Sequence, residues 1–131
     1  MKLITKDTDY AMRALTYMAK NNGEINSVKE ISESLNISLP YLRKILQILT
    51  KRGILSSSKG KGGGFTFDKS PDKIYIIDLI NIFQGEINIR HCVVREDICP
   101  NITTCLLHKK LFELEKLIKS EINLLTIKAL I

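Results

Sequence analysis

Two short helical patterns in the first half of the chain are separated by only three residues, and this spacing limits the folds that the chain can adopt. The first pattern starts at Ser27 and Glu30, which fit the S-x-x-E capping box, where each side chain accepts a hydrogen bond from the other residue's backbone N–H. The tripeptide NIS at 36–38 leads into a second pattern, with Ser38 placed as its N-cap and Gly53 just past its end. Two short helices joined this closely predict a helix-turn-helix, whose second helix normally enters the DNA major groove.

Both predicted helices are apolar on one side and polar on the other. The apolar side consists of Val28, Ile31 and Leu35 in the first helix and of Leu42, Ile45, Leu46 and Leu49 in the second. Pro40 is tolerated in the first turn of the second helix. The residues of that helix that lie away from its apolar side are Tyr41, Arg43, Lys44 and Gln47. An ordinary helical hairpin with a basic outer face would show the same pattern, so the DNA-binding interpretation depends on the segment that follows.

That segment, ILSSSKGKGGGFTF at 54–67, predicts two strands joined by a glycine-rich turn. A β-hairpin placed directly after the second helix is the wing of a winged helix. Its tip places Lys59 and Lys61 next to Gly60 and Gly62, and glycines let the backbone approach sugar and phosphate closely. The segment lacks the G-x-x-x-x-G-K-[ST] pattern, which argues against a nucleotide-binding loop.

Positive charge is concentrated in the same part of the chain. The formal net charge is +6, and no acidic residue occurs between Glu33 and Asp68. That window contains Arg43, Lys44, Lys51, Arg52, Lys59 and Lys61. Such one-sided charge predicts a polyanionic partner, and a basic surface that serves solubility is the alternative.

The remaining helical patterns lie at both ends of the chain. Residues 5–21 and 74–84 each predict a helix, and the second pattern ends at Gly85. Asn101 or Thr103 could cap a long last helix. Its apolar stripe steps by three and four residues through Leu107, Leu111, Leu114, Ile118, Ile122, Leu125 and Ala129. The stripe predicts pairing with the same helix of a second subunit, and symmetric dimers of this kind read palindromic DNA sites.

These patterns together predict a mainly α fold with a small β-hairpin. We assign a winged helix-turn-helix DNA-binding domain to 1–85, a cysteine loop to 86–105 and a dimerisation helix to 106–131. The chain has no apolar run of about 18 residues, and charge appears too early in it for a signal peptide, so we expect a cytoplasmic protein without a membrane span. No catalytic constellation is suggested, which predicts that the protein is not an enzyme.

The segment HCVVREDICPNITTCLLH at 91–108 contains all three cysteines and both histidines of the chain. The cysteine spacings, with six and then five intervening residues, include no close C-x2-C pair of the kind that structural zinc sites favour. They suit a loop around a larger body such as an iron–sulfur cluster. An odd cysteine count argues against a disulfide framework. A zinc site, cluster-free thiol redox chemistry and an iron–sulfur carrier protein remain alternatives.

Three thiolates leave such a cluster one ligand short. His108 follows Cys105 by three residues, so both lie on one face of a helix. A lone helical histidine is often a surface or packing residue, and His91 is expected to be exposed or to lie behind the ligands. A carboxylate from elsewhere could also complete the site.

Four segments of the chain carry a family resemblance. They are TKDTDYAMRALTYMA near the start, ISLPYLRKILQILTKRGIL around the second helix, SKGKGGGF in the wing, and the three cysteines before a long helix. Together they resemble the IscR/NsrR family (the Rrf-two superfamily) of dimeric winged-helix transcription regulators, which sense iron–sulfur status, nitric oxide or redox state through a cluster. The resemblance covers essentially the whole chain and implies Cys92, Cys99 and Cys105 as cluster ligands.

The same resemblance offers two candidates for the fourth ligand. In the iron–sulfur biogenesis regulators a histidine three residues after the last cysteine completes a [2Fe-2S] cluster, and His108 occupies that place. In the nitric-oxide sensors an aspartate in the first helix of the other subunit completes a [4Fe-4S] cluster. The pattern T-D-x-x-x-R places Asp9 there. The opening helix favours Asp9 and [4Fe-4S].

For the DNA interface we expect two sets of residues on a palindromic operator bound by a homodimeric regulator, which we expect to be a repressor. Those facing the major groove are Ser38, Pro40, Tyr41, Arg43 and Lys44. Those following the adjacent minor groove and phosphates are Lys59, Gly60, Lys61 and Gly62. Arg43 is the expected base reader, because a guanidinium can bond guanine O6 and N7 together.

Overall fold

The structure of the protein, a computed structural model, describes residues 2–21, 24–89 and 99–131. In this described part the chain forms five α-helices and one two-stranded sheet. In chain order they are α1 (Lys6–Lys20), α2 (Val28–Leu35), α3 (Leu39–Lys51), β1 (Leu55–Ser58), β2 (Gly64–Phe67), α4 (Ile76–Gln84) and α5 (Leu106–Ile122), with 3-10 turns at Pro71–Lys73 and Ile127–Leu130. The predicted mainly α fold with one β-hairpin is confirmed. No helix among the described residues is long and apolar enough to cross a membrane.

The helix-turn-helix formed by α2 and α3 begins with the predicted capping box. Ser27 Oγ accepts from the N–H of Glu30 at 3.1 Å, and Glu30 Oε2 accepts from the N–H of Ser27 at 3.2 Å. Asn36 ends α2 in the left-handed conformation, with φ 53°. Ser38 occupies the N-cap position of α3, but its side chain makes no capping hydrogen bond, so the predicted capping role is wrong. Pro40 stands at the second position of α3 and has no N–H, which removes one of the two donors that a serine cap normally satisfies.

The core forms where the apolar sides of α1, α3 and α4 meet. Fully buried side chains there include Leu15, Met18, Leu42, Leu46, Leu49, Leu79 and Ile80. Ala11 and Ala14 are also fully buried on α1, and their small side chains allow neighbouring helices to approach. Burying a leucine completely stabilises a fold by about 1.5–3 kcal/mol. The orientation of α3 therefore follows from its apolar side, which leaves its polar side at the surface.

The hairpin formed by β1 and β2 is the predicted wing, and it is attached to the start of α2. Leu55 pairs with Phe67 and Ser58 with Gly64 in an antiparallel register. The N–H of Asn26 donates to the carbonyl oxygen of Phe65 at 3.0 Å, and the N–H of Phe65 donates to that of Asn26 at 2.8 Å. This bridge was not predicted, because a single residue paired with a strand leaves no periodic pattern in the sequence.

The last residues of the chain fold differently from the prediction. α5 ends at Ile122, so the helix does not continue through 106–131, and Leu125 and Ala129 do not extend its stripe. The N–H of Ile76 donates to the carbonyl oxygen of Leu125 at 3.0 Å, and Ile127 is fully buried. The chain turns back because this gives the side chain of Ile127 a place in the core, whereas a continued helix would leave it in solvent.

Gly64→Ala is expected to destabilise the fold, because a Cβ at position 64 would lie 2.3 Å from the carbonyl oxygen of Asn26. Overlap with backbone cannot be relieved by rotating a side chain, so the hairpin would have to move away from residue 26, at about 1–3 kcal/mol. Urea unfolding followed by circular dichroism measures the change in the free energy of unfolding. The control is Ser56→Ala at an exposed position of β1, which should change that energy by less than about 0.5 kcal/mol. Equal effects of the two substitutions would contradict close packing of the wing on residue 26.

Candidate functional site

The outer face of α3 presents most of the side chains that the sequence assigned to the DNA major groove. Pro40, Arg43 and Lys44 are exposed, and Ser38 is exposed at the helix start. Gln47 is exposed one turn further along. We call α3 the recognition helix from here on, because this polar face is the surface that a helix-turn-helix presents to DNA.

Tyr41 is oriented differently from the prediction. It is half-buried, and its hydroxyl donates a hydrogen bond to the carboxylate of Asp7 on α1. Its ring meets the ring of Tyr10 edge-on, with centroids 5.5 Å apart and planes at 84°. Tyr41 therefore packs towards α1, whereas Arg43 and Lys44 face solvent.

A groove of about 750 Å³ runs between the recognition helix and the wing. Four cations line it from three different elements: Arg43 and Lys51 of α3, Lys59 of the wing and Lys29 of the first turn of α2. Lys29 was missed at the sequence level, although its position two residues after the capping Ser27 could have indicated it. The groove can hold a polyanion such as a phosphate backbone, because its cations surround one channel.

The wing tip owes its shape to glycine. Gly60 and Gly62 have φ of 92° and 78°, in the left-handed region that side chains rarely adopt. Lys59 and Lys61, which alternate with them, are exposed. A Cβ at Gly63 would lie 2.4 Å from the carbonyl oxygen of Ser58, so the turn closes tightly on itself. This compact tip holds the two lysines at the end of the wing.

Cys99 and Cys105 lie at the two ends of the turn that leads into α5. Both are half-buried free thiols. Cys105 is the N-cap of α5, and its Sγ accepts a hydrogen bond from the N–H of His108 at 3.5 Å. The predicted caps Asn101 and Thr103 are therefore wrong, because both lie before the observed cap. They belong to the preceding turn, in which the N–H of Cys105 donates to the carbonyl oxygen of Asn101 at 2.8 Å.

The structure brings Cys105 and the half-buried His108 into the first turn of one helix, as their spacing predicted. Cys92 and His91 lie outside the described residues. Within the described residues of one chain, no three histidine, cysteine or acidic side chains are grouped closely enough to hold a metal ion.

Asp9 lies on the first turns of α1, away from the buried side of that helix. Its Oδ2 accepts from Arg13 Nε at 2.9 Å, with the two side chains 38% and 61% exposed. A pair this exposed contributes at most about 1 kcal/mol, so its carboxylate can exchange Arg13 for another partner at low cost.

Comparison with known proteins assigns the fold to a family. A family model described as Rrf2, an iron-dependent transcriptional regulator, matches residues 4–131. The chain belongs to the Rrf2 family. Among Rrf2 relatives, it is 37% identical over 132 residues to a candidate HTH-type transcriptional regulator of Aquifex aeolicus, covering 98% of this chain and 92% of that one. It is 31% identical to the HTH-type transcriptional regulator NsrR of Bacillus subtilis, covering 80% of this chain and 73% of the relative.

Solved structures agree with the Rrf2 assignment. CymR, described as the global cysteine regulator of B. subtilis, superimposes with a TM-score of 0.79 at 25% identity, covering 99% of this chain and 96% of CymR. IscR of T. potens superimposes with a TM-score of 0.71 at 23% identity, covering 98% and 84%. The predicted winged helix-turn-helix family is confirmed. As an Rrf2 protein the chain is a DNA-binding transcriptional regulator and not an enzyme.

Arg43→Ala and Lys61→Ala are expected to weaken DNA binding in different ways. Loss of Arg43 should cost about 1–3 kcal/mol at one base position and relax sequence preference there. Loss of Lys61 should weaken binding to all sequences equally. It should also reduce the slope of log affinity against log salt concentration by about one. The measurement is binding, at several salt concentrations, to a duplex that the unmodified protein selects from a random library and to its single-base variants. Uniform weakening by Arg43→Ala across these duplexes would contradict base reading by Arg43.

Proposed function

We propose that this Rrf2 protein is a homodimeric repressor that binds a palindromic operator and senses nitric oxide, redox state or iron–sulfur status through an iron–sulfur cluster. The observation that carries the proposal is the placement of Cys105 as the N-cap of α5, with Cys99 at the other end of the preceding turn. Neither thiol is deeply buried or paired in a disulfide. Buried structural cysteines would pack in the core, whereas these two are accessible to a ligand.

The donor set fits an iron–sulfur cluster. Thiolates are the soft ligands that such clusters require, and a thiolate at the N-terminus of a helix is favoured by the helix dipole. Cys92, Cys99 and Cys105 would hold the cluster. When bound, the cluster would supply a centre that nitric oxide or oxidants can modify or remove.

Two residues are candidates for the fourth ligand of the cluster. The partner subunit's Asp9 is favoured, since this carboxylate is partly exposed and is engaged in a surface ion pair that can be exchanged. With Asp9 the proposal is a [4Fe-4S] cluster. His108 is the alternative and would accompany [2Fe-2S], since it shares the first turn of α5 with Cys105.

The proposed switch follows from the elements that the ligands occupy. A cluster bound by Cys105 and the partner subunit's Asp9 would join the start of α5 to α1 of the other DNA-binding domain. α1 packs against the recognition helix, so loss of this link would change how the two recognition helices are held relative to each other. A difference in operator affinity of about 1–3 kcal/mol would suffice for regulation.

The proposed dimer uses the outer side of α5. Its exposed leucines include Leu107 at 67% and Leu117 at 57%, with Leu106 and Leu114 beside them. Ile118 and Ile122, at the end of the same apolar stripe, pack against the core of their own chain, so the leucines nearer the start of α5 are the ones left exposed. Rows of exposed leucines typically mark an interface, since their burial removes apolar surface from water.

Iron and acid-labile sulfide counts on anaerobically purified protein test the cluster. About four irons per chain with a broad visible band are expected for [4Fe-4S], and about two for [2Fe-2S]. Asp9→Ala should lower iron content and change the spectrum if Asp9 is a ligand, while His108→Ala should leave both unchanged. If His108→Ala lowers the iron content and changes the spectrum while Asp9→Ala does neither, the fourth ligand is His108. Colourless protein that takes up no iron on reconstitution would favour the thiol-redox or zinc alternatives and refute the cluster.

Leu117→Lys is expected to convert the dimer into a monomer, because it places a charge within the proposed apolar interface. Sedimentation equilibrium over a range of concentrations measures the change. Lys116→Glu, which also changes a charge at an exposed position of the same helix but lies about 100° around the helix from Leu117, is the matched control and should remain dimeric. A dimer of unchanged stability for Leu117→Lys would exclude this face as the interface.

A further inference from the structure

We propose that Tyr41 is a positioning residue, which sets the orientation of the recognition helix through its hydrogen bond to Asp7 and does not itself contact DNA. The inference rests on the proposed DNA interface of α3. The orientation of α3 decides how the exposed Arg43 and Lys44 face that DNA.

Four residues connect the start of α3 to the start of α1, and we call them the α1–α3 cluster: Lys6, Asp7, Tyr10 and Tyr41. The hydroxyl of Tyr41 donates to the carboxylate of Asp7. The ammonium of Lys6 lies over both rings, 5.2 Å from the centroid of Tyr41 and 5.4 Å from that of Tyr10. The ring of Tyr41 thus contacts Tyr10 and Lys6, and its hydroxyl is bonded to Asp7.

The start of α3 lacks the usual local stabilisation. The side chain of Ser38 makes no capping bond, and the first turn contains no acidic residue. The buried Leu42 and Leu46 hold the helix by apolar contacts, which have little directional preference. A hydrogen bond to a carboxylate is strong and directional. The bond between Tyr41 and Asp7 is therefore the contact best suited to fix the rotation of α3 about its axis.

This rotation matters for base reading by Arg43. Arg43 follows Tyr41 by two positions, which places the two side chains on nearly opposite sides of the helix. A rotation of about 10° moves a side chain about 6 Å from the helix axis by roughly 1 Å. Functional groups must be held within about 0.5 Å of their productive geometry, so loosening Tyr41 would misplace the guanidinium.

The test is a double-mutant cycle with Tyr41→Phe, Asp7→Ala and the combined variant. The probe is a duplex that the unmodified protein selects from a random library, compared with a scrambled duplex of equal length. Each single variant should bind the selected duplex about three- to tenfold more weakly, since each removes the same charge-assisted hydrogen bond. The combined variant should bind no more weakly than either single variant, because two residues that act through one bond are not additive.

Direct contact between Tyr41 and DNA predicts a different result. Asp7→Ala would then leave binding unchanged or tighten it, because it removes a negative charge near the polyanion, and the combined effect would be additive. Either outcome would overturn the inference. Binding to the scrambled duplex should not weaken in any variant, since the exposed lysines remain.

Tyr17→Phe is the matched control. The hydroxyl of Tyr17 accepts from Ser34 Oγ at 3.2 Å, so it also connects α1 to a helix of the helix-turn-helix, but to α2, which does not carry Arg43. This variant should bind the selected duplex with an affinity within about twofold of that of the unmodified protein.

Thermal unfolding of each variant verifies that it folds, and Tyr41→Phe keeps the ring contacts. If Arg43→Ala does not weaken binding to the selected duplex, the proposed DNA interface is wrong. If Arg43→Ala does weaken it but the effects of Tyr41→Phe and Asp7→Ala are additive, only the role of Tyr41 is refuted.

Discussion

Burial of one side of α3 against α1 is the interaction on which the candidate DNA interface depends. Leu42, Leu46 and Leu49 are fully buried, so α3 cannot turn over without exposing several large side chains to water. With that side fixed, Arg43 and Lys44 must face solvent. The direction of the DNA-reading face is therefore a consequence of apolar packing, and polar contacts such as that of Tyr41 with Asp7 refine it.

The wing and the recognition helix form one groove because the backbone joins them through the start of α2. The two hydrogen bonds between Asn26 and Phe65 hold the hairpin beside the helix-turn-helix, and Gly64 permits the close approach. Lys29, Arg43 and Lys59 consequently line the same channel although they come from three elements. We propose that this groove binds DNA, and the described cysteines, Cys99 and Cys105, do not line it.

Local signals in the sequence determined the elements and most of their boundaries. The capping box at Ser27 and Glu30 marks α2, because its two hydrogen bonds involve residues only three positions apart. The glycine-rich turn marks the wing for a similar reason, since its φ angles suit glycine alone. The proximity of Cys105 and His108 also follows from helical spacing. The family resemblance rested on four segments, which include the wing glycines and the three cysteines, and the Rrf2 match over 4–131 confirmed it.

Contacts between distant residues were decided by the tertiary structure alone. Helical periodicity placed Tyr41 on the outer side of α3, but a partner 34 positions away in sequence, Asp7, draws its hydroxyl towards α1. The apolar stripe of α5 continued to Ala129 in the sequence, yet Ile127 gains more burial by turning back to the core. Periodicity reports which residues are apolar and how they are spaced. It does not report which of several apolar or polar surfaces will meet, because that depends on the free energy of the whole packed chain.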